Sequence, residues 1–166
     1  MVLKLEPIFK AVSSLRKSKI QIPSSKTKTI LFTPRGQKFT QKTAYQYSKL
    51  KRIIMVCGRY EGIDERVNKL VDEKVSIGDY VLMGGEVPAM ALIESVARLI
   101  PGVLGHSELL GERIDKAKGF TEYPQYTRPE VFKPNKKTVW KVPKVLLGGH
   151  HRKIKSWRGK HQKTIL

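Results

Sequence analysis

The sequence has 166 residues, enough for one domain or one domain with an appendage, and its 33 Lys and Arg residues against 14 Asp and Glu residues give a formal net charge of +19. That excess favours a polyanionic partner, nucleic acid first, over lysine-rich composition alone. Cys57 is the single cysteine, which excludes an intrachain disulfide and CxxC metal clusters and fits a reducing cytosol. No apolar run approaches the ~18 residues of a membrane span, so we expect a cytoplasmic protein without membrane segments.

The first hundred residues predict helices that alternate with strands. Apolar residues at helical spacing predict a helix over residues 5–17, and the β-branched run 29–33 predicts a strand that Pro34 and Gly36 stop. Further expected elements are a weak, mostly solvated helix at 41–51, a strand buried on both faces at 53–57, a short helix at 63–71, extended segments at 74–77 and 80–83, and a helix at 88–100. This alternation predicts an α/β fold with a mostly parallel sheet flanked by helices.

The last third of the chain is less regular. Residues 106–119 show no periodicity and read as a loop, and 122–132 are rich in proline, tyrosine and charge. A short strand-like run at 145–149 precedes a basic helix at 150–158, and residues 159–166 show no pattern. The paired His150 and His151 lack partners at zinc-ligand spacing, so no metal ligands are assigned.

Two glycine-marked turns are the strongest candidates for a ligand site. The sequence GRYEG (58–62) follows the buried strand, and ligands of open α/β sheets bind where strands end. Neither GxGxxG nor a P-loop is present, and on glycine spacing alone a tight strand-to-helix turn is an equal alternative. The second turn region, 76–86, can offer backbone groups to an adenine edge between Ile77 and Leu82, or can be an ordinary crossover.

The motifs TPRG (33–36), GRYEGIDERV (58–67), the run from 76 to 105, YPQYTRPEVF (123–132) and VLLGGHHRKIKSWR (145–158) together resemble those of bacterial tRNA (guanine-37-N1)-methyltransferases. That family belongs to the SPOUT class, whose members contain a deep trefoil knot. The resemblance implies a C-terminal knot in the α/β sheet, although knots are rare in general. It also implies S-adenosylmethionine as methyl donor, the tRNA anticodon stem-loop as substrate, and a homodimer whose active sites lie at the interface near helix 88–100.

The same resemblance assigns roles to individual residues. By matching motif, the donor pocket comprises Pro34, Gly58, Tyr60, Glu61, Gly62, Ile77, Gly78, Asp79, Tyr80, Val81, Leu82, Gly84, Gly85 and Pro88. Arg98 is the cation expected near guanine O6, and Asp115, with Glu112 second, is the expected base that removes the N1 proton. The expected tRNA contacts are Tyr126, Arg128, His150 and Arg152. Magnesium is expected by analogy only.

The family's chains extend beyond both ends of this sequence. We therefore expect residues 1–105 to form the donor-binding core, 106–132 an interdomain and active-site loop, and 133–166 the start of a C-terminal tRNA-binding domain. The alternative to an active methyltransferase is a non-catalytic core that retains donor or RNA binding. From composition alone, a general basic RNA-binding module is the third hypothesis.

Overall fold

The computed structural model describes residues 1–17, 22–105, 114–115 and 119–165, of which 114–115, 119–120 and 164–165 are described by their backbone alone. The chain separates into two units, Met1–Leu110 and Gly111–Leu166. The predicted three-part division at 105 and 132 stays a prediction, and each unit is described by itself.

A parallel sheet with strand order β2-β1-β3 forms the centre of the first unit. The elements are helix α1 (Leu5–Arg16), strand β1 (Thr27–Lys38), helix α2 (Gln41–Tyr47), strand β2 (Arg52–Val56), strand β3 (Glu73–Ser76) and helix α3 (Glu86–Ala97), with 3₁₀ helices at Ser24–Lys26 and Glu65–Lys69. Both β2 and β3 run parallel to β1, so the predicted parallel α/β sheet is confirmed.

Helices cover both faces of this sheet. Ile30 and Phe32 of β1 point into a core that they share with residues of α2 and α3, whereas Leu31 joins Val12 of α1 and Val67 of the second 3₁₀ helix on the other face. Successive strand residues point to opposite faces, so one strand serves both cores. Burial of each such side chain contributes about 1.5–3 kcal/mol, which makes β1 the central support of the unit.

Strand β1 is longer than predicted. Its pairing with β3 is interrupted after Phe32 and resumes at Gln37, and both of these residues pair with Val75. Pro34 and Gly36 therefore lie within an outward excursion of the strand and do not stop it, which corrects the predicted end at residue 33. A proline lacks an N–H for the ladder and is tolerated at such a bulge.

Several predicted elements differ in extent. Helix α2 is shorter than 41–51 and buries Ala44 and Tyr47, so the description "mostly solvated" was wrong. The predicted helix at 63–71 is a 3₁₀ helix of five residues, and the side chain of its N-cap residue Asp64 accepts from the Arg66 N–H. Residues 80–83 form no strand, and α3 begins and ends earlier than 88–100.

The described residues of the second unit form two small antiparallel sheets and two helices. Its elements are strands β4 (Ile114–Asp115), β5 (Gly119–Glu122), β6 (Val131–Phe132), β7 (Trp140–Lys141) and β8 (Lys163–Ile165), and helices α4 (Lys144–Leu147) and α5 (His151–His161). Strands β4, β5 and β8 form one sheet in that order, and β6 pairs with β7.

The basic helix predicted at 150–158 is confirmed as α5, but its neighbours were predicted wrongly. The first three residues of the strand-like run 145–149 belong to α4, which Pro143 precedes with a φ already near the helical value, and the two glycines follow the helix. In the patternless segment predicted at 159–166, residues 159–161 instead extend α5 to His161 and residues 163–165 form β8, which pairs with β5, whereas residue 166 lies outside the described residues. A strand whose partner lies some forty residues away leaves no local signal, which explains the second error.

Candidate active site

A cleft of about 500 Å³ lies where the three parallel strands end. Its walls come from the excursion of β1, the loop that follows β2, and the segment between β3 and α3. Clefts of this size and position bind small molecules in open α/β sheets. Of the residues predicted for the donor pocket, Asp79 alone does not line the cleft. The predicted residues that line it are Pro34, Gly58, Tyr60, Glu61, Gly62, Ile77, Gly78, Tyr80, Val81, Leu82, Gly84, Gly85 and Pro88.

The two glycine loops are joined backbone to backbone. The Gly85 N–H donates to the Gly58 carbonyl over 2.8 Å, and Arg59 and Gly84 form an antiparallel bridge. A Cβ atom on Gly85 would lie 2.7 Å from the Cα of Cys57, which no side chain tolerates. Glycine at position 85 is therefore required by the close approach of the two loops.

An ion pair reinforces this junction. The Arg59 Nε atom donates to Oε1 of Glu86 over 2.9 Å, and Glu86 is the first residue of α3. Hydrogen bonding to Arg59 and then to its own backbone N–H lowers the pKa of Glu86. Burial raises the pKa of the neighbouring Cys57 thiol, and the Glu86 charge adds to the effect. Cys57 is thus held as a neutral thiol in a half-buried position, as a small packing residue.

The segment after β3 forms the third wall through local hydrogen bonds. The Ser76 hydroxyl accepts from the Gly78 N–H and donates to its carbonyl, and the Tyr80 hydroxyl donates to the Ile77 carbonyl. The Asp79 side chain forms an ion pair with Lys38, which accounts for the absence of Asp79 from the cleft lining. These bonds hold a stretch without regular structure in one conformation and leave apolar side chains exposed at the cleft.

Several large apolar side chains at the mouth of the cleft are mostly exposed to solvent. Tyr60 is 64% exposed and has a φ of 60°, while Val81 and Met83 are 83% and 86% exposed. Arg35, on the excursion of β1, also lines the cleft and donates to Glu65 over 2.9 Å. The cleft therefore combines apolar walls with charged groups at its rim, which suits a ligand with both a ring and charges.

The predicted catalytic residues lie outside this cleft lining. Arg98 is the exposed C-cap of α3, at the end of the helix that begins at the cleft. Asp115 belongs to β4 in the second unit and is paired with Gly119, and Glu112 lies outside the described residues. Their roles stay predictions.

The predicted tRNA contacts all belong to the second unit. Tyr126 lies edge-on to Trp157 of α5, with ring centroids 6.2 Å apart. His150 is the N-cap residue of α5 and accepts from the Ile154 N–H through its carbonyl, and Arg152 lines a shallow groove along that helix. The groove also contains Lys153, Ser156, Trp157 and Lys160. The structure thus brings Tyr126 and Arg152 to the same helix, whereas Arg128 lies exposed in the preceding segment.

Some of the residues that build these sites were not assigned roles from the sequence. Arg59 and Glu86 lie beside glycine turns in the sequence, which carries no sign that they pair. Trp157 stacks on His161 at 4.1 Å between ring centroids, a contact that the i, i+4 spacing on a helix permits. That spacing was the signal that could have identified the pair.

The residues that the structure describes contain neither a membrane-spanning helix nor a cluster of metal ligands. No helix in that part of the chain has the length and apolar character to span a bilayer. No group of three or more His, Cys, Asp or Glu side chains, among the same described residues, is arranged to hold a metal ion.

Comparison with known proteins assigns the chain to a family. Residues 1–165 match the family model described as tRNA (Guanine-1)-methyltransferase TrmD. Similar proteins named tRNA (guanine-N(1)-)-methyltransferase include those of Dictyoglomus turgidum, 48% identical over the whole of this chain and 63% of the relative, and Trichodesmium erythraeum, 50% identical over 98% of this chain and 66% of the relative. A third, from Carboxydothermus hydrogenoformans, is 48% identical over 96% of this chain and 58% of its own length. The chain thus spans about three fifths of the relatives it matches, and it belongs to the tRNA (guanine-1)-methyltransferase family.

Proposed function

We propose that this chain carries the methyl-transfer centre of an enzyme that methylates N1 of guanine 37 in tRNA, next to the anticodon. The observation that supports this most strongly is the cleft at the strand ends, whose walls are the motifs that define the resemblance to the family. The proteins named tRNA (guanine-N(1)-)-methyltransferase share about half of their aligned residues with this chain. The alternative of a non-catalytic binding core is not favoured by any feature of the structure.

The cleft fits S-adenosylmethionine, which supplies an electrophilic methyl group when bound. The backbone of the segment from Ile77 to Leu82 offers N–H and C=O groups of the kind an adenine edge needs, and these two side chains provide apolar contact with a ring. Gly58 and Gly85 bring the backbone close enough for further polar contacts. The charged side chains at the rim, Arg35 and Arg59 among them, suit the amino-acid end of the donor.

The chemistry at guanine is assigned to two side chains. A new bond from N1 to the methyl carbon requires the N1 proton to leave, and the Asp115 carboxylate is the proposed acceptor, with Glu112 as second candidate. As the proton leaves, negative charge develops on O6. The guanidinium of Arg98 is proposed to donate hydrogen bonds there, because its planar fork matches a purine edge.

The homodimer and the knot are further parts of the proposal. Helix α3 buries Leu92 and Val96 against the sheet, yet its outer side exposes Val87 (58%), Met90 (68%) and Ile93 (50%). An exposed apolar stripe of this kind is typical of an interface, and a second copy of the chain is its proposed partner. The family resemblance supports a trefoil knot around the cleft.

The second unit is the proposed tRNA-binding part. Helix α5 and its surroundings carry Arg152, Lys153 and Lys160 beside Trp157, a combination suited to phosphate and base. A tRNA substrate is consistent with a cytoplasmic enzyme. Magnesium is included by analogy without a ligand set, and turnover measured with and without a chelator tests it.

The decisive experiment is transfer of labelled methyl from S-adenosylmethionine to a tRNA transcript with guanines at positions 36 and 37. The matched control transcript lacks only the guanine at position 37. Transfer that depends on this guanine is the expected result. Donor binding without methyl transfer would support the alternative of a non-catalytic binding core. The absence of both donor binding and methyl transfer would overturn the proposal.

A further inference from the structure

A short hairpin in the second unit exposes an aromatic pair that no role so far explains. Strands β6 and β7 pair Phe132 directly with Trp140, and their ring centroids lie 5.8 Å apart. Phe132 is 50% exposed and Trp140 60% exposed. Residues opposite each other on paired strands share one face of the ribbon, so the two rings form a continuous apolar surface.

The charge around this pair is predominantly positive, although the exposed Glu130 directly precedes β6 and its carbonyl accepts from the Val142 N–H. Residues 131–144 contain five lysines and no acidic residue, and each of these lysines is exposed: Lys133, Lys136, Lys137, Lys141 and Lys144. A tryptophan this exposed is uncommon in a folded protein, and surrounding lysines make an acidic or phosphate-bearing partner the complementary one.

The turn of the hairpin is ordered by its own hydrogen bonds. The side-chain oxygen of Asn135 accepts from the backbone N–H of Lys137 at 2.9 Å and of Thr138 at 2.8 Å. Such an Asx turn fixes the loop between the strands. Two lysines at the turn and two rings on the strands are therefore presented in one arrangement, which reduces the ordering needed on binding.

We propose that this hairpin is a stacking site for an unpaired base of the RNA substrate, with the lysines on the flanking phosphates. The site rests on the proposed function, because tRNA is the RNA it would receive, and it adds a contact to those predicted at Tyr126, Arg128, His150 and Arg152. Aromatic rings bind unstacked bases regardless of sequence, and the cation-rich rim binds the backbone. Duplex RNA, whose bases are stacked internally, binds through the lysines alone.

The test measures binding of the full chain to a labelled tRNA anticodon stem-loop, without methyl donor. Trp140→Ala is expected to weaken binding about five- to hundred-fold, while Trp140→Phe keeps most of the affinity because it keeps a ring. Val131→Ala is the matched control, since Val131 is 44% exposed on the same hairpin but pairs with Lys141 on the opposite face. Circular dichroism checks that each variant folds.

A second arm separates stacking from charge. Replacing Lys136 and Lys137 by Ala should make the salt dependence of binding shallower for both loop and duplex RNA, by about 0.7 in the log–log slope for each single-strand phosphate that these lysines neutralise. Trp140→Ala should affect the stem-loop and leave a duplex of equal length unchanged.

Several results would overturn the inference. Wild-type affinity in Trp140→Ala would do so, and so would an equal loss with Val131→Ala. If Trp140→Ala lost binding to phosphatidylserine vesicles and kept its RNA binding, the hairpin would be assigned to a lipid surface instead. Donor binding and methyl transfer are assayed separately, so weaker RNA binding by Trp140→Ala in a chain that neither binds the donor nor transfers methyl would refute the proposed function and support the hairpin as an RNA site.

Discussion

The Nε atom of Arg59 lies 2.9 Å from Oε1 of Glu86, and this pair joins the loop after β2 to the first turn of α3. The same two segments are joined by the hydrogen bond from the Gly85 N–H to the Gly58 carbonyl. The cleft therefore depends on a junction between two loops whose paired residues, Arg59 and Glu86, are 27 positions apart in sequence. Because Glu86 is also an acidic residue at a helix N-terminus, its charge is favourable in two ways.

Removal of this ion pair should weaken donor binding without unfolding the chain. Both side chains are about half exposed, and an exposed pair of this kind has a small effect, so we expect Arg59→Ala to weaken donor binding about two- to five-fold. Glu86→Gln should weaken it similarly, and the double variant should be no worse than either single variant. Calorimetric titration with S-adenosylmethionine measures this, and fully additive losses would show that the pair does not act as a unit.

A methyl group on Gly85 should have a larger effect. The φ of Gly85 is −83°, which any residue can adopt, so Gly85→Ala costs only the steric clash with the Cα of Cys57 at 2.7 Å. We expect a loss of about 1–3 kcal/mol in the free energy of unfolding and a marked loss of donor binding. Gly105→Ala is the matched control because a Cβ there meets no atom of the described residues within 4 Å. Urea unfolding compares the two, and equal stabilities would contradict the close packing of the loops.

The cleft illustrates what could be inferred from the sequence. The apolar run of β2 and the periodic apolar residues of α3 are local patterns, and both elements were predicted close to where they lie. The continuation of β1 beyond Pro34 depends on pairing with Val75, and the strand β8 depends on pairing with β5, so neither had a local signal. The resemblance to the family, and not periodicity, indicated that the glycine loops converge. The pairing of Arg59 with Glu86 required the folded backbone.

The proposed role of Arg98 predicts a separation of binding from turnover. Arg98→Ala should lower kcat about 10²- to 10³-fold, the effect of removing one donor to a developing negative charge, with donor binding unchanged. Lys42→Ala, which removes an exposed cation from α2, is the control for lost charge and should retain turnover. Single-turnover methyl transfer with saturating tRNA measures the difference. Equal turnover in the two variants would remove Arg98 from the mechanism.

The base is tested by a pair of isosteric changes. Asp115→Asn should lower kcat about 10²- to 10⁴-fold, and Glu112→Gln should have little effect. The acidic limb of the pH–rate profile should disappear only in Asp115→Asn, which separates proton removal from a positioning role. The reverse pattern would assign the proton acceptor to Glu112.

Stability at alkaline pH should depend on Tyr47. Burial, and then the hydrogen bond to Glu73 and its negative charge, raise the pKa of Tyr47 above its ordinary value of 10.0. The folded state therefore keeps a proton that the unfolded state loses, so this contribution is complete below pH 10 and is lost as the pH rises above it. Tyr47→Phe should lose less stability between pH 9 and pH 11 than the wild type, as measured by urea unfolding. Tyr80→Phe removes an exposed phenol and is the control, and parallel pH dependence in the wild type and Tyr47→Phe would contradict the assignment.

The exposed side of α3 predicts self-association. Ile93→Arg places a charge among exposed apolar side chains and should convert a dimer into a monomer, because an unpaired buried charge opposes association. Gln46→Arg adds the same charge to the exposed side of α2 and should leave the dimer intact. Sedimentation equilibrium at several concentrations distinguishes the two states. If each site is completed by the partner, methyl transfer should fall with the dimer in Ile93→Arg, and a wild-type chain that is monomeric at tens of micromolar would refute the proposed interface.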